Sequence, residues 1–283
     1  MFSSGFPPIR SFRRRIVYPI LSLVVALGLV LGQPIVAQAL PWAELILRGV
    51  QVIQLANLSD RQEVALGSQI NEQIIRSGQA RISRDRALAN YIDEIGQRLA
   101  KASTRPQIPY TFQVVDDNRI NAFATMGGFV YINTGLIKAA DNEAQLASVI
   151  GHEIGHVVGR HAVNQMKEMA TVGLGASAAG LNRSRAVALG VELALRRPHS
   201  RNAEYEADEL GLKMLMNVGY APSAAPAFMQ KLVSASSPPT FLSTHPAAAD
   251  RVARMNQQIP PDQRDVGTGL STTAYRQRTS SLR

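Results

Sequence analysis

Apolar side chains recur at the three-and-four spacing of a helix through Asp141–His161, where Leu146, Val149, Ile150, Ile154, Val157 and Val158 share one stripe. Asp141 or Asn142 is placed to cap the start, with Gln145 completing a capping box. The same period predicts a helix through Ser200–Gly219, carried by Leu210, Met214, Leu215 and Val218, with Gly219 at the C-terminal cap. Further helices are predicted over Trp42–Leu55, Asp60–Arg76, Arg84–Lys101 after a Ser83 cap, Arg185–Arg197, Ala224–Val233 and Ala247–Gln257. Two stretches instead read as strands. Tyr110–Val115 is rich in β-formers, and Gly128–Asn133 alternates Phe129 and Tyr131 with Val130 and Ile132. The expected fold class is therefore α+β, mainly helical, with a small sheet beside the Asp141–His161 helix.

The ends of the chain break this pattern. Arg10, Arg13, Arg14 and Arg15 precede an apolar run from Ile16 to about Gly32, and Ala37-Gln38-Ala39 offers a small-x-small cleavage site. Residues 1–39 are read as a signal peptide cleaved after Ala39, the rival being an uncleaved anchor, since the run approaches the roughly 18 apolar residues that span a bilayer. Export, most simply to a periplasm, is the expected localisation. Residues 40–258 form the expected single domain. Residues 259–283, rich in Gln, Ser, Thr, Arg and Pro, are expected to be a disordered tail.

Composition narrows the partners. Losing four arginines and no acids with residues 1–39 takes the formal charge from +9 to +5, and no basic block with interleaved aromatics is present, so nucleic acid is not an expected partner. Weak peripheral contact with anionic membrane surfaces is compatible with that charge. With no cysteine in the chain, neither a lipidated N-terminus nor disulfides are available, and stability must come from elsewhere, packing above all.

The chemistry is concentrated in H-E-x-x-H, His152, Glu153 and His156. Histidines four apart on a helix lie about 40° apart around its axis, so both imidazoles reach one ion. The offset glutamate is then free to act as general base on a water. A catalytic zinc site needs a third protein ligand and an open position. One pattern would take that ligand from a histidine six residues on, with a glycine at Gly159, but position 162 is alanine. His161 falls one short, about 140° from His156 on a continuing helix, and is expected to be a surface or outer-sphere histidine. The other pattern draws a glutamate from the second helix. Glu204 and Asp208 are four apart and share a face, which would let Glu204 bind metal while Asp208 accepts the outer N–H of a ligand histidine. Glu206 points about 200° from Glu204 and is the weaker candidate.

Four motifs in order, H-E-x-G-H-V-x-x-R-H-A (His152–Ala162), S-R-x-x-E-x-E-A-D (Ser200–Asp208), N-A-F-A-x-x-G-G-x-V-Y-I-N-T-G-L (Asn121–Leu136) and T-H-P (Thr244–Pro246), resemble metallopeptidase family forty-eight, the HtpX, CAAX prenyl protease and BepA-like zinc endopeptidases. The resemblance, over about Arg61–Met255, implies a gluzincin-type metalloendopeptidase with one Zn2+ per chain, held by His152, His156 and Glu204, and acting on protein or peptide substrates. By the same resemblance His245 lies over the metal, either stabilising an oxyanion or occupying the open position to keep the enzyme latent. Arg251 is a candidate for electrostatic help. The strand Gly128–Asn133 is expected to be the sheet edge that receives substrate, through Gly128, Phe129, Val130 and Tyr131.

Where membrane-embedded relatives span the bilayer, Met169–Leu181 is short and broken by Gly173, Gly175 and Gly180, which suits close helix packing or a cover over the cleft. Only 29 residues follow Arg254, fewer than the roughly 34 of one tetratricopeptide unit, so an exported member without such an array is expected. The expected role is protein quality control by hydrolysis of misfolded or envelope proteins. The alternative is a zinc-stabilised chaperone for unfolded envelope proteins with latent proteolysis.

Overall fold

The computed structural model describes residues 57–172 and 183–282, and five of its helices begin where a side chain, that of Ser59, Asp85, Asn142, Ser200 or Ser271, accepts from a free amide. Helix α1 (Asp60–Arg76) starts from a full capping box between Ser59 and Gln62, and buries Ile70 and Ile74 while Ile75 stays exposed. Helix α2 (Arg86–Lys101) is capped by Asp85, two residues later than the expected Ser83. Leu88, Ile92, Ile95 and Leu99 form its buried stripe, and Gly96 lets the Phe112 ring lie directly on its backbone.

The sheet has three strands: β1 (Thr111–Val115), β2 (Ala122–Ala124) and β3 (Phe129–Asn133), in the order β1-β3-β2. β3 pairs parallel with β1 and antiparallel with β2. This corrects the expectation that Gly128–Asn133 is an edge. β3 is the central strand, its backbone committed on both sides, and Val130 and Tyr131 are completely buried. The edge strands are β1 and the three-residue β2, the latter too short for an alternation pattern to reveal. A short helix α3 (Thr134–Ala139) leads from the sheet to the centre of the molecule.

That centre is α4 (Glu143–Val158). Asn142 caps it by accepting from the Gln145 amide, and Gln145 reaches back to the Asp141 amide. Every residue from Ala144 to Val157 is buried, so the helix is covered on all sides rather than on one stripe. It also stops earlier than expected: Gly159 caps it, Arg160 takes a left-handed φ of 54°, and a new helix, α5 (His161–Val172), begins at His161.

Helix α6 (Arg183–Arg196) follows, then α7 (Arg201–Asn217), capped by Ser200 and ended at Gly219 with φ 80°. α7 crosses α4 where glycines face one another. A Cβ on Gly155 would stand 2.6 Å from the Ala207 carbonyl oxygen, and one on Gly211 would stand 2.9 Å from the His152 amide nitrogen. Helices α8 (Ala224–Val233), α9 (Thr240–Thr244) and α10 (Ala248–Gln258) close the other side.

The segment after Ile259 is not disordered. The Gly269 carbonyl accepts from the Ala144 amide, one of the free N–H groups opening α4, and Thr268 exchanges backbone hydrogen bonds with Gly219 and Ala221. A last helix, α11 (Thr272–Arg278), buries Tyr275, whose hydroxyl donates to the Ile137 carbonyl at 2.6 Å. One aromatic anchor and a few backbone contacts order this segment, a pattern too sparse to show as periodicity. The expected signal peptide, the Trp42–Leu55 helix and all but the first residues of Met169–Leu181 lie outside the described residues. Among the described residues no helix is long and apolar enough to cross a membrane.

Candidate metal centre

One helical turn separates His152 from His156 on α4, which brings their Nε2 atoms to 3.0 Å with the rings edge to face. Glu204, in the first turn of α7, meets both: Oε2 lies 3.5 Å from His152 Nε2, and Oε1 lies 3.4 Å from His156 Nε2. The glycine crossing makes this reach possible, because a Cβ at Gly155 or Gly211 would hold the two helices apart. The loop after α9 adds His245. Its Nδ1 donates to the Phe241 carbonyl at 3.0 Å, so the Nε2 lone pair faces inward, 3.3 Å from Glu153 Oε1. His152, His156, Glu204 and His245 each offer a donor atom, and the four atoms lie within 4.8 Å of one another.

Charge and hydrogen bonding in this cluster suit a cation. Both oxygens of Glu153, Glu204 Oε1 and His245 Nε2 are buried without a hydrogen-bond partner, and Glu204 Oε2 has only an ion-pair contact with Arg251. Leaving so many buried acceptors unmatched is costly unless a positive charge sits among them. Burial would raise the Glu204 carboxyl, but His245, His152 and His156 hold it far below the usual range. Burial pushes His156 well below its ordinary value, with His199 adding to the effect. Burial and the Arg251 guanidinium oppose protonation of His152, yet Asp208 and Glu204 outweigh them and push it up to about 9.

Asp208 sits one turn after Glu204, and its Oδ1 lies 2.9 Å from His152 Nδ1, the arrangement expected from the four-residue spacing. Arg251 of α10 is not a surface residue. It is 0% exposed, donates Nε and Nη2 to the two Asp208 oxygens at 2.7 Å, and brings Nη1 to 2.6 Å from Glu204 Oε2. Burial alone would raise the Asp208 carboxyl, but Arg251 and His152 keep it low.

His161 does not lie on the surface either. With α4 ended at Gly159, its ring turns back so that Nδ1 is 2.8 Å from His156 Nδ1, and Glu206 Oε2 lies 3.3 Å from its Nε2. Glu206 is outside the four-residue donor group. His199, which periodicity did not single out, stacks on His156 with ring centroids 4.0 Å apart. Burial and the nearby His245 lower it to about 4. The available signal was its place directly before the Ser200 cap of the helix that carries Glu204. All five histidines of the chain thus meet at one site.

Of the residues expected to receive substrate, Gly128, Val130 and Tyr131 are buried and Phe129 is partly covered. The edge strand packed beside α4 is β2, with Ala122 fully buried and Ala124 partly covered. Thr125 and Asn133 mark the exchanging pairs with β3, so Ala122 and Ala124 turn their backbone groups to the unpaired side.

The sequence profile of Peptidase family M48 matches residues 86–259. The chain is 34% identical over 226 residues to the beta-barrel assembly-enhancing protease of Escherichia coli (strain K12), covering 72% of this chain and 46% of that protein. It is 35% identical over 151 residues to the mitochondrial metalloendopeptidase OMA1 of Arabidopsis thaliana, covering 51% of this chain and 30% of that protein. To the mitochondrial metalloendopeptidase OMA1 of Danio rerio it is 29% identical over 196 residues, 62% of this chain and 41% of that protein. The chain spans about half the length of the curated relatives it matches first.

Proposed function

The chain belongs to Peptidase family M48, and from that premise we propose that it is a zinc-dependent endopeptidase in which His152, His156 and Glu204 hold the metal and Glu153 is the general base. The observation that carries this reading is the buried convergence of those three donors beside a carboxylate whose own oxygens have no hydrogen-bond partner. Bound zinc would polarise a substrate carbonyl and acidify a water molecule. Two histidines and a carboxylate are a common donor set for that ion.

The protein's own residues do the rest. Glu153, fully buried and one residue from His152, accepts a proton from the attacking water and returns it to the leaving amine. Asp208 fixes the orientation of His152, and Arg251 fixes Asp208. The β2 edge is the strand position nearest the site at which a peptide would be added, with the partly exposed Ala124 offering main-chain hydrogen bonds without selecting side chains. His245 serves as a fourth donor in a latent state and must withdraw before a substrate carbonyl can enter, a reading supported by its inward-facing, unpartnered Nε2.

The basic-then-apolar N-terminus and its small-x-small site support export, and the proposed substrates are exported or envelope proteins that have failed to fold. Cleavage of casein by the chain with added zinc, beside Glu153→Gln and a chelated sample, tests the central reading. Loss in both controls supports it. Undiminished cleavage by Glu153→Gln would remove Glu153 from the role of base.

A further inference from the structure

The break between α4 and α5 is built at a cost. Arg160 is one of two non-glycine residues with positive φ in the described chain, a conformation that disfavours an L side chain by about 1 kcal/mol. Its guanidinium is anchored on both sides. Nη2 donates to the Leu58 carbonyl, and Nε lies 3.1 Å from Oε2 of the fully buried Glu63. Glu63 is itself held by Arg105 at 2.9 Å and accepts from the Gly127 amide. Gly159 completes the turn, since a Cβ there would stand 2.4 Å from His161 Nε2. The turn's consequence is that His161, which a continuous helix would aim elsewhere, lies against the outer nitrogen of His156.

We propose that His161 and Glu206 are positioning residues that set the tautomer and ring orientation of His156 for metal binding. The inference rests on the metal-binding reading above. For His156 to offer its Nε2 lone pair to the cluster, its proton must sit on Nδ1 and needs an acceptor. His161 Nδ1, at 2.8 Å, is that acceptor, which places the His161 proton on Nε2, where Glu206 Oε2 receives it at 3.3 Å. The reversed chain would aim the His161 Nε2 lone pair at a carboxylate and put a proton on the His156 nitrogen that faces Glu204. Glu206 therefore selects one direction of the relay. Each ligand histidine then has its own oriented partner: Asp208 for His152, and His161 with Glu206 for His156. α7 supplies both carboxylates of this outer layer as well as Glu204.

Zinc affinity of the purified full chain, read by competition with a chromogenic chelator, tests this apart from activity. His161→Leu should weaken zinc binding about 10–100-fold. His161→Asn, whose Oδ1 stands close to the place of the imidazole Nδ1 and accepts in its stead, should stay within about threefold of wild type, and Glu206→Ala should fall between the two. Melting in excess chelator separates this from folding, because the apo proteins should then differ little. Wild-type affinity in His161→Leu, or equal losses in His161→Leu and His161→Asn, would overturn the relay while leaving the metal site intact. Should His161→Leu fail to fold, Glu206→Ala carries the test at a half-exposed side chain, and wild-type affinity there overturns it. A wild-type chain that binds no zinc would overturn the proposed function along with it.

Discussion

Asp208 Oδ1 stands 2.9 Å from His152 Nδ1, and the same carboxylate receives two nitrogens of the fully buried Arg251 at 2.7 Å. The contact orients the His152 imidazole and also neutralises a guanidinium that is fully buried. Asp208→Ala is expected to lower zinc affinity about 10–100-fold. It should also destabilise the metal-free protein by about 3–5 kcal/mol, because it strips a buried charge of its main partner. Chelator competition reads the first effect and urea unfolding in excess chelator the second. Wild-type values in both would mean that Asp208 neither orients His152 nor matters to Arg251.

Glu153→Gln replaces a fully buried carboxylate with an amide of the same shape that cannot take a proton. Zinc content should stay at one per chain while casein turnover drops about 10²–10⁴-fold. Loss of zinc in this variant would make Glu153 part of the metal's support.

His245 separates two mechanisms by sign. If its inward Nε2 holds the enzyme latent, His245→Ala raises basal casein cleavage above wild type. A fall in cleavage would assign it instead to stabilising the developing oxyanion.

The crossing of α4 and α7 tolerates no added carbon. In Gly155→Ala the new methyl would meet the Ala207 backbone at 2.6 Å, so the helices must separate. A destabilisation of about 1–3 kcal/mol is expected. Weaker zinc binding should accompany it, since Glu204 sits on the displaced helix. Unchanged affinity would show that Glu204 does not depend on the close approach.

Tyr275 tests the order of the C-terminal segment. Its ring is 3% exposed and its hydroxyl donates to Ile137, so Tyr275→Ala should cost about 3–5 kcal/mol in urea unfolding. No loss would mean that residues beyond Ile259 contribute nothing to the domain.

How far the sequence could be read depended on the range of the interaction. Helix positions, Asn142 as a cap, the Gly219 stop and the His152–His156 pair all rest on contacts within four residues, and these patterns are written locally. The Glu204–Asp208 spacing was legible for the same reason. Other features depend on elements distant in sequence. β3 is central only because the three-residue β2 pairs beside it. The tail is ordered only because Gly269 meets the start of α4. His161 reaches His156 only because Glu63, almost a hundred residues earlier, helps hold Arg160 in a left-handed turn.

By itself, then, the sequence determined the long helices, the H-E-x-x-H pair and the family, since each is set by local spacing and ordered motifs, whereas α3, α5, α9 and α11 did not show in it. The tertiary structure alone decided which strand is central and which are edges, which charges are buried together, and that all five histidines share one site. Those outcomes depend on how glycine-lined helices pack and on where water is excluded, and neither is expressed in any single stretch of chain.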